Sequence, residues 1–102
     1  ILCDAQNKML DTVEIAQGTP TGSCPIIREI ISLALQKFAT GIICMHNHPF
    51  GEAGPSKEDE IFTKELRDAG KLMDIKLLDH IIFGEDSYCS FDRRAVQLYQ
   101  ET

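Results

Sequence analysis

Apolar positions along this chain follow two rhythms. Residues 1–3 and 9–16 are short blocks of strand character on either side of a polar turn, Asp4-Ala5-Gln6-Asn7-Lys8, and together they read as a hairpin. Gly18-Thr19-Pro20-Thr21-Gly22-Ser23 is a loop by composition. Over residues 25–38 the apolar side chains Ile27, Ile30, Ile31, Ala34, Leu35 and Phe38 recur at helical spacing. Residues 41–45 form a short, continuously apolar run, as a strand buried on both faces requires, and the run leads into His46-Asn47-His48-Pro49. After a Gly- and Pro-rich loop over 50–55, Ser56 starts a second helix. Glu58, Asp59 and Glu60 stand in its first turn, and Ile61, Phe62, Leu66 and Ala69 lie behind. Gly70 reads as the breaker at its C-terminal end. Residues 75–78 and 80–83 read as strand, Gly84-Glu85-Asp86 as a turn, and 87–91 as a last strand. The order β-β-α-β-α-β-β predicts an α/β fold, a mixed sheet flanked by helices.

Length and charge narrow the picture. A chain of 102 residues is one domain, 1–102, large enough for a single core. Its 16 acidic and 10 basic residues give a net charge of -6, which argues against strong binding to nucleic-acid phosphates by this domain. No apolar run approaches the ~20 residues of a membrane span, so no membrane role is expected. The first ten residues lack the basic start and long apolar stretch of a secretory signal. Cys3, Cys24, Cys44 and Cys89 are scattered without a C-x-x-C pair, which fits free thiols in a reducing cytoplasm. The chain begins without Met on an apolar residue of mid-strand character, as a domain excised from a longer protein would.

The candidate chemistry lies where the buried strand ends. Residues two apart in an extended segment point to the same side, so His46 and His48 can aim their imidazoles at one point. Asp59 follows in the first turn of a helix, where the dipole favours a carboxylate. Two imidazoles and one carboxylate are a common ligand set for catalytic zinc, leaving a fourth position for water. Ser56 and Asp59 also match the S-x-x-[DE] capping box, a role compatible with metal binding.

His46-x-His48, seven residues, Ser56, two residues and Asp59 spell H-x-H-x7-S-x-x-D, which resembles the JAMM signature of JAB/MPN metalloproteases. The wider text, HNHPFGEAGPSKED followed by AGKLMDIKLLDHIIFG, resembles the RadC branch of that family, bacterial proteins long labelled as DNA repair proteins. The resemblance covers nearly the whole chain. It implies a JAB/MPN fold related to that of cytidine deaminases, with zinc held by His46, His48 and Asp59, and with Ser56 assisting the oxyanion. It also implies a glutamate acting on the zinc-bound water, and Glu14 stands at the matching position, before a Gly-Thr pair. Glu29 is the competing acid. It lies in Ile26-Ile27-Arg28-Glu29, where the family carries HPRE, and Arg28 and Glu29 read as structural or helix-terminal groups. The missing His-Pro pair and Phe50, in place of the usual Ser, depart from the pattern without touching a proposed ligand. Asp79-His80 also belongs to the RadC pattern. His80 is either a buried histidine bonded within the sheet or a group that orients a metal ligand.

The function expected on these grounds is zinc-dependent hydrolysis of an amide bond in a peptide or isopeptide substrate. The alternatives are a metal-bearing DNA repair or recombination module without peptidase activity, and a metal-dependent nuclease. His46-Asn47-His48 spells HNH, but HNH nucleases spread those residues over a longer ββα unit. Zinc deaminases need H-x-E and P-C-x-x-C, both lacking here. Arg93-Arg94 reads as a solvated terminal face.

Overall fold

The computed structural model describes residues 1–15, 24–47 and 56–92. Its elements are β1 (Leu2–Cys3), β2 (Met9–Asp11), α1 (Cys24–Gln36), β3 (Gly41–Asn47), α2 (Lys57–Leu72), β4 (Lys76–Phe83) and β5 (Tyr88–Ser90). The strands form one mixed five-stranded sheet in the order β2-β1-β3-β4-β5. β3 and β4 are parallel, joined across α2, and the other neighbours are antiparallel. This is the α/β sheet-and-helix architecture that the element order predicts. Among the described residues no helix is long and apolar enough to cross a membrane.

Both helices lay their apolar stripes on one face of the sheet. Ile27, Ile30 and Ala34 from α1 and Leu66 from α2 meet Leu2, Ile42, Ile75 and Leu77 in a single buried cluster. Cys3, Ile43, Leu78 and Ile81 form a second cluster, and alternation along β3 assigns it to the opposite face. The hairpin strand β2 stops at Asp11, short of the expected end at residue 16. The Asp11 carboxylate accepts the backbone N–H of Thr12 at 2.8 Å and so takes a donor that the ladder would need. Val13 and Ile15 still pack against the helix-side core.

β4 is one strand where the pattern suggests two pieces, and it contains an irregularity. Ile42 pairs with Leu77, but the next residue, Ile43, pairs with Asp79. Leu78 is thus an extra residue on β4, a β-bulge, and it shifts the alternation of everything after it. Leu77 and His80, three apart, face the helices, whereas Leu78 and Ile81 face away. Strict alternation would have turned His80 to the other face.

The two helices end alike. At the end of α1 the N–H of Ala39 bonds to the carbonyl of Ala34 at 2.8 Å, and that of Phe38 to Leu35 at 3.2 Å. At the end of α2 the N–H of Ile75 bonds to Gly70 at 2.8 Å, and that of Asp74 to Lys71 at 3.3 Å. Both are Schellman motifs, in which the residue after the cap turns left-handed. Here that residue is Phe38 (φ 55°) in one and Asp74 (φ 56°) in the other, not glycine. Gly70 is therefore not the breaker: α2 runs on to Leu72. Glycine is needed there for closeness instead, because a Cβ would stand 2.4 Å from the carbonyl oxygen of Ile75.

Phe38 is 88% exposed, so it gains little from burial while occupying a conformation that costs a side-chain-bearing residue about 1–2 kcal/mol. Replacing it with glycine raises the entropy of the unfolded chain, an opposing effect of roughly 0.4–1 kcal/mol. Phe38→Gly should therefore stabilise the fold by about 0.5–1 kcal/mol, seen as a higher urea midpoint at unchanged slope. A lower midpoint would mean that Phe38 makes packing contacts the fold needs.

Candidate metal centre

β3 extends two residues beyond the apolar block, so His46 lies inside the strand rather than past its end. Alternation from Ile42 through Cys44 puts His46 on the helix-covered face, beneath the first turn of α2. That turn is built by a capping box. Ser56, in extended conformation, accepts the N–H of Asp59 on Oγ at 3.1 Å, and Asp59 Oδ2 accepts the N–H of Ser56 at 2.8 Å. The second carboxylate oxygen, Oδ1, stands 2.9 Å from Nε2 of His46. The Asp59 side chain is 12% exposed and that of His46 is 35% exposed, so the pair is open on the histidine side. The helix N-terminus favours the anionic carboxylate.

The other nitrogen of His46 is engaged from below. Its Nδ1 lies 2.9 Å from Nε2 of His80, whose Nδ1 lies 2.6 Å from Oγ1 of Thr63. Thr63 Oγ1 in turn donates to the carbonyl of Asp59 at 2.7 Å. In register, Cys44 stands opposite His80, so His46 and His80 are diagonal neighbours on one face, bridged by their rings at a centroid distance of 4.9 Å. His80 is 1% exposed. Phe91 stacks on it at 4.9 Å and 17°, and Phe62 meets it edge-on at 5.7 Å.

Donor and acceptor counting fixes the protons. A carbonyl only accepts, so the Thr63 hydroxyl proton points at Asp59, and Oγ1 must accept from Nδ1–H of His80. With its proton on Nδ1, His80 keeps a lone pair on Nε2, which then accepts from Nδ1–H of His46. In this tautomer Nε2 of His46 carries a lone pair facing a carboxylate oxygen 2.9 Å away. Two acceptors that close require a proton between them, and a metal ion held by both would take the place of that proton. Imidazole nitrogen and carboxylate oxygen are both zinc donors, so the pair fits such a metal.

Of the residues singled out from the sequence, His46, Ser56 and Asp59 are brought together here. His48, Pro49, Phe50 and Arg93-Arg94 lie outside the described residues. Among those that are described, no group of three or more His, Cys, Asp or Glu converges as a metal site. Glu14 is exposed on the extended segment after β2, between Val13 and Ile15, which pack inward. Arg28 and Glu29 are exposed on α1, while Ile26 and Ile27 face the core. His80 is buried, and its ring bonds within the sheet to His46 on the neighbouring strand and outside it to Thr63 on α2. Thr63 and Phe91 were not singled out from the sequence. Thr63 could have been, because it lies four residues after Asp59 and so on the same helix face; nothing in the sequence pointed to Phe91.

Asp79, next to His80, turns the other way. Its fully buried carboxylate accepts the N–H of His80 at 2.8 Å, the N–H of Asp92 at 3.0 Å and the hydroxyl of Ser90. With the N–H of Phe91 bonded to the carbonyl of His80 at 3.0 Å, this seats the Phe91 ring over the histidine. Cys3, Cys44 and Cys89 are free thiols, and burial pushes the Cys44 thiol up to about 12. It is no candidate nucleophile, because the reactive form is the thiolate.

A family model described as a RadC-like JAB domain matches residues 1–96. Among curated proteins, the chain is 43% identical over 96 residues to a UPF0758 protein of Geotalea uraniireducens, an alignment covering 94% of this chain and 42% of that one. It is 43% identical over 91 residues to a UPF0758 protein of Neisseria meningitidis serogroup B, covering 89% and 40%. A UPF0758 protein of Flavobacterium johnsoniae is 40% identical over 85 residues, covering 83% and 37%. The chain thus spans about two fifths of the length of these relatives. With the match extending from the first strand to beyond the last, the chain belongs to the RadC-like JAB domain family.

Proposed function

We propose that this domain is a zinc-dependent hydrolase of amide bonds in peptide or isopeptide substrates. The observation that carries the reading is the 2.9 Å approach of His46 Nε2 to Asp59 Oδ1, with the other histidine nitrogen committed to His80. His46, His48 and Asp59 would hold the zinc, which when bound supplies Lewis-acid polarisation of a carbonyl and a water acidified toward neutral pH. Glu14 is the general base: its carboxylate takes the proton of the attacking water and returns it to the leaving amine. Ser56 Oγ accepts from the helix amide of Asp59, a bond that does not use its own O–H, and that proton is donated to the carbonyl oxygen as it gains charge. The net charge of -6 supports a peptide substrate over duplex DNA, whose phosphates a basic face would have to meet. Membership in a family of longer proteins makes this activity a property proposed for the domain, within whatever chain carries it.

Protein purified without chelator should carry about one zinc per chain, and His48→Ala should lose most of it. Elemental analysis of the two preparations checks this, and equal metal in both would remove His48 from the site. Glu14→Gln should keep both the zinc and the melting temperature while turnover of a peptide substrate falls by ~10²–10⁴. Full activity in that variant together with loss in Glu29→Gln would transfer the role to Glu29. Ser56→Ala should lower stability by ~1 kcal/mol through the lost cap, and turnover by ~10²–10³ through the lost oxyanion donor. Normal turnover at a lower melting temperature would leave Ser56 as a helix cap alone.

A further inference from the structure

We infer that His80 is a positioning residue for the metal ligand His46, and that Thr63 sets the His80 tautomer on which this depends. The inference rests on the reading of His46 as a ligand through Nε2.

A histidine can bind a metal through either ring nitrogen, and the nitrogen it uses is decided by the hydrogen bond made at the other. At His46 that other nitrogen is Nδ1, and its partner is neither a carboxylate nor a backbone carbonyl but a second imidazole. An imidazole can donate or accept, so by itself it would not select a tautomer. The selection comes one bond further on. The Thr63 hydroxyl has a single proton, and the Asp59 carbonyl holds it at 2.7 Å. Thr63 can therefore only accept from His80, at 2.6 Å, and this leaves His80 Nε2 only able to accept from His46. The path starts at the main chain of Asp59 and returns to the side chain of the same residue, through Thr63, His80 and His46. Each polar atom along it has a partner, and no buried side-chain nitrogen or oxygen among the described residues lacks one.

The surroundings hold His80 in place. Phe91 covers one ring face and Phe62 meets it at an edge. Phe91 is seated by main-chain and carboxylate bonds from His80 and Asp79, and at the rim Arg67 pairs with Asp92 at 3.2 Å. The ring is thus oriented by packing and by hydrogen bonds at both nitrogens.

The test uses zinc itself, measured by competition with a chromophoric chelator, on wild type and three variants whose fold is checked by circular dichroism. Thr63→Val keeps the shape of the side chain but removes the acceptor for His80. His80→Phe removes the acceptor for His46. Both should weaken zinc binding by ~10–100-fold. His80→Gln retains an amide with one accepting and one donating end and should recover most of that loss. In parallel, long-range proton–nitrogen NMR of histidine-labelled zinc-loaded wild type should show His46 protonated at Nδ1 and His80 protonated at Nδ1 with Nε2 bare, the second a signature that a merely structural role for His80 would not require. Zinc affinity unchanged in folded Thr63→Val, or a His46 ring protonated at Nε2, would overturn the inference while leaving the metal reading intact. Wild type that binds no zinc would overturn both.

Discussion

One extra residue in β4 determines what the site can be. A central strand flanked by partners on both sides must alternate its side chains between two buried faces, and without the bulge at Leu78 the phase of Leu77 would carry His80 to the side away from the helices. The bulge places Leu78 and Asp79 in succession on that far side. His80 returns to the near side, within reach of His46, Thr63 and Phe62. Two adjacent polar residues in the buried middle of a strand thereby receive separate duties. Asp79 ties β4 to β5 and to the chain just beyond it, and His80 joins the constellation under α2.

The rest of the geometry follows from the crossover. β3 and β4 are parallel neighbours, so α2 must start near the C-terminal end of one and finish near the N-terminal end of the other. The start of α2 therefore stands over the end of β3, the crevice in which open α/β sheets commonly place their ligands. His46 is the last helix-facing residue of β3, and Asp59 is the third residue of the helix.

The sequence made much of this legible, for reasons that can be named. β3 and the two helices were readable because a continuous apolar run and a 3.6-residue stripe are strong signals, and Ser56 because a capping box is local chemistry. The helix end at Leu72 is hard to read from the sequence because glycine serves two purposes. At Gly70 it permits close approach to Ile75, while the left-handed positions fell to Phe38 and Asp74, which no propensity argument would choose. β2 reads too long in the sequence because the strand pattern continues in Val13 and Ile15, which still pack inward after the ladder has ended at Asp11. The part played by His80 was ambiguous in the sequence because a bulge leaves no reliable mark there. Only the doublets Leu77-Leu78 and Ile81-Ile82 on either side of Asp79-His80 hint that simple alternation fails.

Asp59 serves two structures at once. One carboxylate oxygen closes the first turn of α2, and the other confronts His46. The side chain is thus immobilised by the helix it starts, and the rotamer entropy of placing it is lost during folding rather than on arrival of a cation. A carboxylate fixed in this way is preorganised: a bound ion would gain its full attraction without first having to order the group. The same economy removes slack. A longer acid at this position would have to choose between the helix amide and the histidine, so the length of the aspartate side chain is itself a dimension of the site.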